Sequence, residues 1–114
     1  MEIFQIQDNN KSIGSRTVKS VPILTDQMMA TILHIPSNTN LPPHSHAGSD
    51  EIHYIVSGAG KIKSGNHGEN VKKGMLIMVP RAEVHNISTF ECQMVVLSFV
   101  FVSGPPKHPL KKND

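Results

Sequence analysis

The chain has 114 residues, 38% of them hydrophobic, with eight glycines and eight prolines; that is one domain, large enough to bury a core. Eleven basic and nine acidic residues leave a net charge of +2, and aromatic residues do not interleave the basic ones, so no nucleic-acid partner is expected. The single cysteine, Cys92, excludes an internal disulfide and fits a reducing compartment, which points to the cytoplasm.

Residues 1–7 lack both the basic start and the apolar run of a signal peptide, and only Ile3, Phe4 and Ile6 offer early anchors. Residues 11–22 scatter Ile and Val among Ser, Arg and Lys, which suggests one or two short edge strands. Pro22 is tolerated at such an edge, and residues 1–22 form an edge or dimer-contact segment. Residues 27–35 are a strand with both faces largely covered, ended by Pro36, and residues 37–43 are a loop stiffened by Pro42 and Pro43.

A strand over residues 51–57 is expected to turn at Gly58-Ala59-Gly60 into a second over 61–64, and Gly65-Asn66-His67-Gly68 makes the next tight turn. Short strands follow over 69–73, 75–79 and 84–89. The longest strand is expected over 93–102, an apolar run with Ser98 inside it that is too short to cross a bilayer as a helix. Cys92, at its start, reads as a half-buried thiol. Residues 1–104 make one domain, and residues 105–114 make a flexible, basic tail. Many short strands separated by Gly and Pro indicate an all-β sandwich or barrel.

The chemistry concentrates in residues 40–60. In an extended segment, residues two apart share a face, so His44 and His46 converge on one point. The turn-forming Ala47-Gly48-Ser49-Asp50 lets the chain curl and bring Glu51 back toward them. That cluster suits a divalent metal.

His44-x-His46-x4-Glu51-x6-Gly58 resembles the first motif of the cupins, and Gly74-x5-Pro80-x-Ala82-x2-His85 resembles the second. The two motifs stand in the right order and cover about 50 residues. The resemblance implies a small single-domain cupin: an all-β, double-stranded antiparallel jelly-roll barrel in which His44, His46, Glu51 and His85 bind one metal. Three positions depart from the family pattern: Asn38 at the opening glycine, Ala82 at the second-motif glycine and Thr89 at the closing asparagine. None is a metal ligand.

Three imidazoles and one carboxylate suit Fe, Mn, Ni, Cu or Zn. Octahedral geometry leaves two positions open for water, oxygen or substrate, whereas tetrahedral Zn would be closed and structural. The bland alternative makes His44 and His46 solvated loop histidines and His85 a satisfied strand histidine. His53, two residues after Glu51, points to the same face and is the expected catalytic residue, as a proton carrier or substrate contact; otherwise it is a core histidine bonded to backbone. His34 is expected to pack, His67 and His108 to be solvated, and Arg81 to lie at the surface rather than reach a carboxylate substrate. Tyr54 faces a partner subunit or water. Ile55, Ile77, Val79 and Ile87 line the barrel, with Met75 and Met78 on opposite faces.

With no tryptophan and one tyrosine, a small polar or aliphatic substrate is expected. The favoured function is a metal-dependent oxidoreductase of the dioxygenase kind. Isomerisation or decarboxylation with the same ligands, and a non-catalytic binding or sensor role, are the alternatives. A homodimer is expected, because one small barrel can hardly cover its own apolar and edge surface.

Overall fold

The computed structural model describes residues 1–6, 18–45 and 48–101. Residues 11–17 of the expected edge segment, His46 and everything from 102 onward, including His108 and the tail, lie outside the described residues.

Seven strands and no helix occur among the described residues: β1 Lys19–Leu24, β2 Met28–Ile35, β3 Glu51–Ser64, β4 His67–Lys72, β5 Leu76–Val79, β6 Asn86–Ser88 and β7 Met94–Phe101. Every pairing is antiparallel, in the order β1-β2-β7-β3-β4, with β5 and β6 also bonded to β3. The all-β jelly-roll expectation holds.

β3 organises the rest, since its first half pairs with β7 and β5 and its second half with β4 and β6. A bulge between Ile55 and Ser57 shifts the register against β7, and the strand bends from one sheet into the other. The turn expected at residues 58–60 is absent: β3 runs unbroken for 14 residues and is longer than β7 with its 8. The glycines serve close backbone approach instead. Gly58 has φ of 84°, and a Cβ there would collide with the Gln93 carbonyl; one at Gly60 would collide with the Ser88 carbonyl. Local turn chemistry and tertiary crowding both call for glycine, and here the second is the cause.

Along β3, Glu51, His53 and Ile55 are buried while Ile52 and Tyr54 are exposed, so alternation sends the chemistry inward. The core packs Ile35, Ile55, Val79, Ile87, Met94 and Val96, with Ile77 against its margin. Met75 and Met78 are both exposed, and the methionine that faces the interior cavity is Met29. Cys92 is exposed, not half-buried, because it sits on a bend before β7 begins.

The departures from the family pattern have physical solutions. Asn38 and Ala82 are the two described non-glycine residues with positive φ, 53° and 66°. The backbone keeps the left-handed turns that glycine favours, at little cost for asparagine and more for alanine. Thr89 ties the two ends of the barrel wall together. Its Oγ1 accepts from Thr39 N at 3.0 Å and donates to the Pro36 carbonyl, while its own N–H donates to Thr39 O at 2.7 Å.

Ala82→Gly is therefore expected to raise unfolding stability by about 0.5–1 kcal/mol. Thr89→Val, which leaves a buried carbonyl and an N–H unpaired, should lower it by roughly 2 kcal/mol. Urea titration of both variants checks this, and the opposite order of midpoints would contradict it.

Candidate metal centre

The site is assembled by an isolated antiparallel bridge between His44 and His85, one residue from each motif. His44 N donates to His85 O and His85 N donates to His44 O, each at 2.9 Å. In such a reciprocal pair the side chains stand side by side on one face. The two imidazole centroids are accordingly 4.2 Å apart. Glu51 enters from the first position of β3, where it faces Val79 on one side and Val100 on the other. The approach to Glu51 is pinned twice: Ser49 Oγ accepts from Phe101 N at 3.0 Å, and Asp50 Oδ1 accepts from Arg81 N at 2.9 Å.

Glu51 Oε1 lies 3.0 Å from His85 Nε2 and 3.8 Å from His44 Nε2. Donors bound at about 2.1 Å to one ion are separated by about 3.0 Å at octahedral and about 3.4 Å at tetrahedral angles. One donor atom from each of His44, Glu51 and His85 lies within 4.8 Å of the other two, so these residues fit a divalent ion. Glu51 and His85 are buried and His44 is partly open to solvent. His46 lies outside the described residues, so its place in the ligand set rests on the motif.

The supporting contacts aim the rings. His85 Nδ1 donates to the Glu83 carbonyl at 3.1 Å, which leaves Nε2 to face Glu51. His53 is buried on the same face, as alternation required, with Nε2 3.5 Å from Glu51 Oε1 and 3.4 Å from His85 Nε2. Its Nδ1 shares a 2.6 Å hydrogen bond with Ser98 Oγ, directly across the β3–β7 ladder. Ser98 was the residue missed as a site member; its signal was a lone hydroxyl on the inward parity of an apolar strand.

Electrostatics follow from the contacts. Burial pushes the Glu51 carboxyl up, but hydrogen bonds from His53 and His85 outweigh it and hold the group well below the usual carboxylate range. The Glu51 hydrogen bond raises His85, against burial, and the bond to the Glu83 carbonyl adds to the rise. Glu51 and the protonated form of His85 therefore favour one another.

A cavity of about 370 Å³ opens onto this cluster, reaching His44, Glu51, His53 and Ser98 between apolar walls that include Met29, Leu33 and Leu41. The remaining candidates sit elsewhere. Arg81 is exposed and its Nε lies 3.9 Å from Asp50, as the surface reading had it. His67 pairs in solvent with Glu69 at 2.7 Å. His34 is half-buried on β2, and burial, with Lys19 nearby, lowers its pKa.

The family described as Cupin domain matches residues 31–100, and the chain belongs to it. No curated protein matches the chain. Among solved structures, a conserved protein of unknown function from Streptococcus pyogenes is 20% identical with a TM-score of 0.74, covering 91% of this chain and 92% of its own. KdgF from Halomonas sp. is 18% identical with a TM-score of 0.68, covering 82% and 92%. A predicted oxalate decarboxylase from Thermotoga maritima is 20% identical with a TM-score of 0.68, covering 75% and 80%. At these identities the likeness shows the fold. No helix among the described residues is long and apolar enough to cross a membrane.

The paired pKa shifts set a pH window. Glu51, lowered from 4.5, stabilises the metal-free fold above that value and loses this as pH falls toward its folded pKa. His85, raised from 6.5, stabilises it below that value and loses this as pH rises through its folded pKa. Metal-free protein should therefore melt highest between about pH 4.5 and 6.5. A metal must displace the His85 proton, so the rise in Tm on adding Zn²⁺ or Mn²⁺ should grow from pH 6 to 8. Thermal melts with chelator and with metal check this; a metal effect independent of pH would contradict it.

Proposed function

We propose that the chain is a metal-dependent enzyme acting on a small molecule, with oxygen-dependent oxidation of the dioxygenase kind as the favoured reaction. The observation that carries this reading is the placement of a buried histidine, His53, beside the His44–Glu51–His85 cluster and at the wall of the same cavity. A structural metal needs no such cavity and no adjacent proton carrier.

A divalent transition metal held by His44, Glu51 and His85, with His46, would supply Lewis acidity and, if redox-active, electrons, while keeping positions open. The chain's own residues supply the rest. His53 takes or gives a proton at Nε2, and Nδ1 stays hydrogen-bonded to Ser98 Oγ throughout, donating when it carries a proton and accepting from the hydroxyl when it does not, so the ring keeps its orientation. Met29, Leu33 and Leu41 exclude water from one side of the pocket, which strengthens the hydrogen bonds at the other. A volume near 370 Å³ equals roughly a dozen water molecules, which supports a small substrate. Isomerisation or decarboxylation would use the same residues, and a cytoplasmic enzyme is the setting the single cysteine favours.

The test is oxygen uptake by Fe(II)- or Mn(II)-loaded protein across small diols, thiols and keto acids. We expect turnover with one class, reduced at least about 100-fold by His53→Ala with metal content unchanged. If no substrate is consumed with any metal, yet a small ligand binds tightly in the cavity, the chain is a binding or sensor protein and the enzyme reading fails.

A further inference from the structure

The inward rungs of the β2-β7-β3 ladder differ in chemistry. On one side lie Met29, Val100 and Glu51, and on the other Leu33, Val96 and Ile55. The rung between them is Thr31, Ser98 and His53, so three hydrogen-bonding side chains stand abreast on three adjacent strands. His53 and Ser98 satisfy each other at 2.6 Å. Thr31 is different: its hydroxyl makes no hydrogen bond among the described residues, although the residue is half-buried in the wall of the cavity that reaches His44 and Glu51. Valine has the same shape without the hydroxyl and would pack against the neighbouring Met29, Leu33 and Leu41 at no polar cost. An inward hydroxyl that the fold does not use is left for whatever fills the cavity.

The lining is one-sided in charge. Among its described residues Glu51 is the single carboxylate, none is Lys or Arg, and the histidines stand at the cluster end. A ligand anion is therefore compensated only at the metal, and a second anion at the Thr31 end would be buried without a counter-charge. Strand spacing sets the reach. Adjacent strands are about 4.8 Å apart, so Thr31 and His53 stand roughly 10 Å apart across β7. With a metal–oxygen contact of ~2 Å at one end and a hydrogen bond of ~3 Å at the other, a chain of about four carbons spans the rest.

We propose that Thr31 determines specificity in this cavity, and that its ligand is a small aliphatic hydroxy compound. The ligand's oxygen-bearing head sits at the metal, its short chain lies against Leu33, Leu41 and Val100, and an uncharged hydroxyl tail bonds Thr31 Oγ1. The proposal rests on the metal-dependent reading above and adds to it the chemistry of the far end: polar, neutral and about four carbons away.

Calorimetric titration of the full chain loaded with redox-inert Zn²⁺ tests this with three acids that share one metal-binding head: α-hydroxyvalerate, α,δ-dihydroxyvalerate and α-hydroxyglutarate. The δ-hydroxyl should tighten Kd about 3- to 10-fold over the methyl-ended acid, as one added hydrogen bond does, and the second carboxylate should weaken it by at least about 10-fold. Thr31→Val should abolish the preference for the hydroxyl tail, and Thr31→Ser should retain it, with zinc content and β-sheet circular dichroism unchanged in both. A hydroxyl preference that survives in Thr31→Val, tightest binding of the dicarboxylate, or no binding of any of the three would overturn the proposal. Zinc content and oxygen uptake separate the two readings. With one zinc per chain and no Thr31-dependent preference, the specificity proposal falls alone; the preference without oxygen uptake on any substrate overturns the enzyme reading alone.

Discussion

Two backbone hydrogen bonds between His44 and His85 hold the site together. They join a loop that precedes β3 to the segment before β6, regions 41 residues apart in the chain, and they do so through the candidate ligand residues themselves. Side-chain aim is thereby settled by backbone geometry. Because reciprocal partners in an antiparallel pair project their side chains to the same side, both imidazoles meet Glu51 without depending on rotamer freedom alone. Remaining contacts extend this clamp outward. Leu41 N bonds Ile87 O and Asn38 N bonds Phe90 O, so the segment leading into the first motif is laced along the one that follows the second.

A buried carboxylate needs compensation, and in the folded chain His53 and His85 supply it. That arrangement has two consequences. Glu51 favours the protonated form of His85, so a metal bound there would compete with that proton. His53 is held by Ser98 at its other nitrogen and so faces the cluster in one orientation. The same β3 that positions Glu51 and His53 inward displays Ile52 and Tyr54 outward, so one strand serves the site on one face and an apolar surface on the other.

Much of this was legible in the residues. Alternation located most of the strands, and the paired motifs brought His44, Glu51 and His85 to one point, with His53 on the predicted face. What failed did so where local chemistry and tertiary contact use the same residue. Gly58 and Gly60 satisfy a turn and a crowded ladder equally, and only the positions of Gln93 and Ser88 decide between them. Cys92 was assigned by its neighbours in sequence, but its exposure depends on where β7 starts. At the three positions that depart from the family pattern, left-handed backbone survives at Asn38 and Ala82, and the Thr89 hydroxyl bridges Pro36 and Thr39. Ser98 escaped because a strand hydroxyl acquires a role only when its cross-strand partner, His53, is known.

The central claim is that the His44–Glu51–His85 cluster is a metal centre. Elemental analysis of the purified chain, combined with X-ray absorption at the edge of whichever metal is found, tests it most directly. The account predicts one divalent transition metal per chain in a shell of nitrogen and oxygen donors with imidazole scattering, lost in His85→Ala and in His46→Ala while the β-sheet spectrum is retained. Metal content that is absent from the unmodified chain after growth and reconstitution with each candidate ion, or that is unchanged in both variants, would contradict it.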